Sequence, residues 1–80
     1  MELTIISPLR TQLFKIAWIE LNTPVGNFII QPGHAPTILS LTPDQKITFC
    51  LANGKRESLF VPQGITEITR TSTTIYLNKE

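Results

Sequence analysis

The chain has 80 residues, with seven lysines and arginines against six aspartates and glutamates and a formal net charge of +1. A chain this short forms one domain, residues 1–80, and buries only about 60% of its unfolded surface, which argues against a large catalytic cleft. Its basic residues are dispersed and no apolar run reaches membrane-spanning length, so we expect a soluble intracellular protein that does not bind nucleic acid.

The composition predicts strands along the whole chain. Eleven threonines and eleven isoleucines stand against two valines, and no window repeats apolar residues at helical spacing over three turns. Short alternating runs separated by Pro, Gly and Asn are typical of an all-β, antiparallel sandwich of two sheets. The predicted strands are Glu2 to Ile6, Leu13 to Leu21, Asn27 to Gln31, Thr37 to Leu41, Lys46 to Leu51, Glu57 to Val61, Ile65 to Thr69 and Thr73 to Leu77.

The clearest hairpin pairs residues 47–51 with residues 56–61. The connection Ala52-Asn53-Gly54-Lys55 contains Asn-Gly, the usual central pair of a type I′ turn. Strand alternation then predicts one inward set, which is Ile47, Phe49 and Leu51 on the first strand and Leu59 and Val61 on the second.

Two prolines bracket the single histidine in Pro32-Gly33-His34-Ala35-Pro36. Pro32 and Pro36 fix their own φ angles and push the preceding residues toward extended geometry, while Gly33 can supply a positive φ. The segment therefore predicts a rigid bend with His34 at its apex. These residues alone favour an imidazole that bonds to neighbouring backbone, with an interface residue as the alternative.

The candidate chemical groups do not assemble into a known catalytic or ligand-binding pattern. A triad would have to combine His34 with one of the Ser or Thr hydroxyls, because Cys50 falls in a buried strand pattern. One His and one Cys without spaced partners do not indicate a metal site, and the lone Cys50 forms no internal disulfide. Neither Gly26 nor Gly33 lies in a phosphate-binding glycine pattern. We therefore expect no catalytic, metal or cofactor-binding residues.

Trp18 departs from the inward set of its strand. Alternation places Ile19 and Leu21 on one face and Trp18 on the other with Glu20. An exposed indole is often an interface residue, and the alternative is a side chain that covers the edge of the sandwich.

Several segments resemble the epsilon subunit of F-type ATP synthase, which is called delta in mitochondria. Residues 25–36 are similar to that family's "EGELGILPGHAP" segment, and Phe60 to Ile68 is similar to its "YxVSGGFxEV" segment. The likeness covers nearly the whole chain, from Leu3 to Leu77. Family members commonly continue into a helical hairpin, whereas this sequence ends at Glu80, so the resemblance implies either a short form or part of a longer chain.

The resemblance implies a ten-stranded sandwich that works as a non-catalytic rotor subunit of the central stalk, linking gamma to the c ring and coupling proton or sodium flow to ATP synthesis. Ser7 and His34 match positions that face gamma, and Val25-Gly26-Asn27 matches the loop that meets the c ring. Asn27 replaces an acidic residue, so we expect a hydrogen bond there instead of a salt bridge.

The resemblance also implies a location and a limit on ligands. The expected place is the cytoplasmic face of the energy-coupling membrane of a bacterium, peripheral through the complex. ATP binding in the family involves the helical hairpin, so we expect none by this domain. An unrelated β-sandwich that binds a peptide or a small ligand is the alternative function.

Overall fold

The computed structural model describes residues 1–43 and 45–78, with residue 45 described by its backbone only. All eight predicted strands are confirmed, with ends that shift by one or two residues. The strands are β1 (Glu2–Ile6), β2 (Thr11–Thr23), β3 (Gly26–Ile30), β4 (Thr37–Ser40), β5 (Gln45–Leu51), β6 (Arg56–Val61), β7 (Gly64–Ile68) and β8 (Ser72–Leu77).

The strands form two sheets that share β2. Sheet I has the order β4-β7-β8-β1-β2, and sheet II has the order β3-β2-β5-β6. The predicted antiparallel pairing holds at every strand pair except β1 with β8, which is parallel. The resemblance implied ten strands, whereas the described residues form eight, one of which, β2, serves both sheets.

A β-bulge marks the point where β2 changes sheets. Residues 11–15 pair with β1, whereas Ile16 and the residues after it pair with β5, and the register shifts between Ile16 and Trp18. The bulge explains why Ile16 and Ile19 are both buried although they are three residues apart, since an extra residue reverses the alternation of a strand.

The core lies between the sheets. Ile47, Phe49 and Val61 are buried as predicted, while Leu51 and Leu59 are half-buried against the same cluster. The ring of Phe14 lies 5.0 Å from the ring of Phe49, centroid to centroid. The other buried apolar residues of the cluster are Leu3, Ile5, Ile16, Ile19, Leu21, Ile30, Leu41, Ile68 and Ile75.

The β5–β6 hairpin is confirmed, but its turn is not the predicted type I′. The N–H of Gly54 donates to the C=O of Leu51 at 2.8 Å, so Ala52 and Asn53 are the central residues. Gly54 follows with φ 94°, the arrangement of a three-residue loop that ends in a left-handed glycine. The prediction was wrong because Asn53 instead accepts the N–H of Lys55 on its side-chain oxygen at 3.0 Å.

Within the described residues there is no helix long and apolar enough to cross a membrane.

Candidate interaction surfaces

The predicted bend is present, but its apex lies at Pro32 and Gly33, and His34 closes the turn instead of occupying the apex. The N–H of His34 donates to the C=O of Gln31 at 3.1 Å, which encloses Pro32 and Gly33. Gly33 has φ 88°, and a proline followed by a residue of positive φ is typical of a type II turn. The local sequence therefore sets this bend by itself.

A distant segment then holds the bend in place. The N–H of Gly33 donates to the C=O of Arg70 at 2.8 Å, and Nη1 of Arg70 donates back to the C=O of Gly33 at 3.3 Å. Arg70 lies in the turn between β7 and β8, so the bend is tied to sheet I. The imidazole of His34 is half-buried, and its Nδ1 donates to the C=O of Ala35 at 2.7 Å. Its ring is thus oriented by neighbouring backbone.

Ser7 lies at the other end of sheet I. It directly follows β1, and both its N–H and its Oγ donate to the C=O of Arg10, at 2.9 Å and 3.1 Å. Because β1 runs beside β8 from Ser72 to Tyr76, the length of a five-residue strand, about 15 Å, separates Ser7 from the bend. The structure therefore does not bring Ser7 and His34 together.

Between these two ends the outer side of sheet I carries five large apolar side chains, together with polar ones such as Glu67, which lies opposite Ile38 on one side and Thr74 on the other. The large apolar side chains that point outward are exposed at Leu13 (74%), Ile38 (70%), Ile65 (51%) and Tyr76 (46%) and half-buried at Ile6. Pairing places Ile65 beside Tyr76, and Tyr76 beside Ile6 of β1. We call this surface the sheet I face; its residues are Ile6, Leu13, Ile38, Ile65 and Tyr76.

Sequence reasoning missed the sheet I face. The signal was present in β7 and β8, where apolar residues occupy both alternating sets, as in Ile65 and Ile68 or Ile75 and Tyr76. A strand that is apolar on both sides predicts burial on one side and an exposed apolar surface on the other.

The segment of residues 25–27 is the tip and first part of the β2–β3 hairpin. Val25 is 82% exposed at the tip, and Thr23 braces the turn by donating from Oγ1 to the C=O of Gly26 at 2.9 Å. Asn27 belongs to β3, and its Nδ2 donates to Glu20 at 3.1 Å and to Asn22 at 3.0 Å. Its amide hydrogens are therefore engaged within the chain, which leaves the side-chain oxygen for an outside contact.

Trp18 is half-buried on the outer side of sheet II. Ile19 and Leu21 are buried on the opposite side, as predicted. The guanidinium carbon of Arg56 lies 5.4 Å from the centroid of the indole ring, within the range of a cation–π contact. Trp18 was predicted to be an exposed aromatic, and it is less exposed than that because Arg56 lies over it. Both residues line a groove with Glu20, Ile29 and Gln31.

The fold agrees with a family comparison. Residues 1–79 match the family described as "ATP synthase, Delta/Epsilon chain, beta-sandwich domain". The chain therefore belongs to this family of ATP synthase β-sandwich domains. A search of curated proteins finds no match.

Two solved structures share the fold. One is a chain of the Euglena gracilis mitochondrial ATP synthase (OSCP, F1 and c ring), with a TM-score of 0.83, 19% identity, and coverage of 94% of this chain and 48% of that one. The other is a chain of the Tetrahymena thermophila mitochondrial ATP synthase (central stalk and c ring), with a TM-score of 0.80, 16% identity, and coverage of 98% and 63%. The chain thus spans from about half to under two-thirds of the length of these proteins.

Proposed function

We propose that the chain is a non-catalytic rotor subunit of the central stalk of an F-type ATP synthase, linking gamma to the c ring and transmitting torque while protons or sodium ions flow. Membership of the delta/epsilon family carries this proposal, and a chain of the same fold in the structure of a central stalk with its c ring supports it. An unrelated peptide- or ligand-binding sandwich is not favoured, because family membership over residues 1–79 accounts for the whole fold.

The gamma subunit docks on the sheet I face. An exposed apolar patch on a small domain is a common site of protein association, and this one is bounded by His34 at one end and Ser7 at the other. A partner that covers the face reaches both residues, which explains how two positions about 15 Å apart can serve one interface. His34 is already oriented by Ala35, so its ordering costs little entropy on docking.

The experiment is calorimetric titration of purified gamma with the native chain, with two matched lysine variants and with His34→Glu. Ile65→Lys places a charge in the sheet I face, and Ile29→Lys makes the same change on the outer side of sheet II at nearly equal exposure, 51% against 57%. We expect Ile65→Lys to weaken binding by about tenfold or more and Ile29→Lys to leave it unchanged, since hot spots are confined to the buried centre of an interface. His34→Glu is expected to weaken binding less than Ile65→Lys.

Equal losses from both lysine variants, or no loss from either, would contradict this docking face. Circular dichroism of each variant checks that the fold is retained, so that a loss of binding reports on the surface.

The β2–β3 hairpin tip contacts the c ring. Its bracing by Thr23 keeps the tip from losing much entropy on contact. Val25→Cys in a Cys50→Ala background should crosslink to a cysteine in the c-ring loop, whereas Asn53→Cys should not. Asn53 is in the β5–β6 turn, and the pairing of β2 with β5 places the two turns at opposite ends of sheet II. Crosslinking from Asn53→Cys instead of Val25→Cys would show that the opposite end of sheet II faces the c ring.

We place the chain on the cytoplasmic face of a bacterial energy-coupling membrane, peripheral through the complex, and without bound ATP or another cofactor. Thermal unfolding with and without ATP checks the last point, because a ligand that binds only the native state raises its melting temperature.

A further inference from the structure

One edge of sheet II is a strand that directs a row of backbone groups outward, away from its neighbour. Among the described residues, β6 is the last strand of the sheet and pairs only with β5. The N–H of Leu51 donates to the C=O of Lys55 at 2.7 Å, which makes this the bonded pair at the end of the hairpin. Bonded and non-bonded pairs alternate along an antiparallel ladder, so the N–H and C=O groups of Arg56, Ser58 and Phe60 point away from β5.

The side chains along the β6 edge of one copy are complementary to those along the β6 edge of a second copy. Arg56, Ser58 and Phe60 are all exposed, and Phe60 is 72% exposed although the ammonium of Lys46 lies 6.0 Å from the centroid of its ring. In a two-fold antiparallel pairing centred on Ser58, Arg56 of one copy lies opposite Phe60 of the other, and the reverse holds on the other side of the axis. Opposite residues in such a pair have Cα atoms about 5.5 Å apart, close enough for a guanidinium to lie over a ring.

We propose that the free chain associates with a second copy of itself by antiparallel pairing of the two β6 edges about Ser58. The pairing is isologous and closed, since the same surface is used on both copies and no edge of either β6 remains open. It joins the two copies of sheet II into one continuous sheet with about six new backbone hydrogen bonds. The guanidinium of Arg56, which lies over Trp18 of its own chain, then lies between that indole and Phe60 of the second copy.

β6 is better suited to this pairing than the edge strand of sheet I. β4 has four residues against six in β6, and the N–H of Leu41 donates to the C=O of Gly64 at 2.9 Å. By the same alternation, Ile38 and Ser40 carry the outward amides of β4. Self-pairing of the β4 edge would therefore form a shorter ladder, without a cation opposite an aromatic ring.

The small size of the edge predicts a weak dimer. Pairing of two six-residue strands buries far less accessible surface than a stable complex, which needs about 1,200 Å². Association is therefore expected at high concentration only, and it is independent of the gamma contact, because the sheet I face belongs to the other sheet.

The test is sedimentation velocity of the purified chain from about 20 μM to about 1 mM, with Ser58→Pro and Ser40→Pro as matched variants. Each proline removes an outward amide of an edge strand, a position where proline is tolerated. We expect the native chain and Ser40→Pro to shift toward dimer as the concentration rises. Ser58→Pro should remain monomeric, with association at least about tenfold weaker.

A second pair of variants decides the case even if Ser58→Pro does not fold. Phe60→Lys places a cation opposite Arg56 of the second copy and should weaken the dimer, whereas the double variant Arg56→Glu with Phe60→Lys creates opposite charges across the axis and should restore it. A chain that stays monomeric throughout, equal effects of the two prolines, or no rescue by the double variant would each overturn the proposal. If the β6 edge instead binds an extended segment of another protein, the free chain stays monomeric at every concentration.

Discussion

The outer sides of the two sheets both carry large apolar side chains, but among the described residues only those of sheet II include aromatic rings with a cation over them. On sheet II the guanidinium of Arg56 lies over Trp18 and the ammonium of Lys46 lies 6.0 Å from the centroid of the Phe60 ring. On the sheet I face, Ile38 and Ile65 are open to solvent. The alkyl stems of long cationic side chains shield apolar surface while the charge stays hydrated, so exposure of a hydrophobic residue alone does not identify an interface.

The contrast favours the sheet I face as the surface that awaits a large partner. Ile6, Tyr76 and Ile65 lie side by side on three neighbouring strands of this face, with the hydroxyl of Tyr76 donating to Glu67 at 3.4 Å beside them. On sheet II the hydroxyl pair of Thr48 and Ser58, at 3.2 Å, lies between the aromatic residues Trp18 and Phe60. A contiguous patch can be desolvated by one partner surface, and desolvation is what makes a contact contribute strongly to binding.

The largest expected effect comes from the core that carries both faces. Ile19 is fully buried and pairs with Ile30 on one side and Phe49 on the other. Ile19→Ala should lower the free energy of unfolding by about 2–5 kcal/mol, because it removes buried methyl groups and leaves a cavity. Urea denaturation measures the change, with Ile29→Ala as the exposed control, for which we expect less than about 1 kcal/mol. Similar losses at both positions would mean that the two sides of the sheet are not distinct.

A smaller effect of opposite sign is expected inside sheet I. The hydroxyl of Thr66 is buried and has no hydrogen-bond partner among the described residues. Thr66→Val removes this unsatisfied group at nearly constant shape and should stabilise the chain by about 1 kcal/mol. Thr73 is equally buried, but its hydroxyl contacts Sδ of Met1 at 3.7 Å, so Thr73→Val should gain less. Thermal unfolding measures the stability gained by each variant. A larger gain for Thr73→Val than for Thr66→Val would contradict the prediction.

The smallest effect tests whether the cations are what distinguishes the outer side of sheet II. Arg56→Ala should uncover Trp18 at a cost of about 0.5–1 kcal/mol in stability, with a red shift of the indole emission. Lys55→Ala is the control, because its ammonium lies 3.5 Å from Glu57 and not over the ring. An unchanged emission spectrum in Arg56→Ala would show that Arg56 does not shield Trp18.

Much of the fold could be predicted from the sequence, because strand alternation and turn residues are local signals. The alternation identified all eight strands and the buried positions Ile47, Phe49 and Val61. It did not predict the bulge after Ile16 or the parallel pairing of β1 with β8. Both depend on how the strands meet in space, which the pattern of a single strand does not contain.

The candidate site was only partly predictable for the same reason. The prolines and Gly33 determined the bend at His34, since their backbone preferences act within a few residues. The tie from Gly33 to Arg70, the separation of Ser7 from His34 and the continuity of the sheet I face depend on segments far apart in sequence.

The sequence by itself therefore determined where this chain is extended, where it turns and which side chains of the central hairpin are buried, because sterics and local hydrophobic pattern act over a few residues. Tertiary structure alone decided on which outer side a cation lies over an aromatic ring. Coverage depends on cross-strand neighbours: Arg56 lies across β5 from the strand of Trp18, and Ile65 has Tyr76 and no cation opposite it. Strand register, which the complete packed sandwich fixes, sets those neighbours.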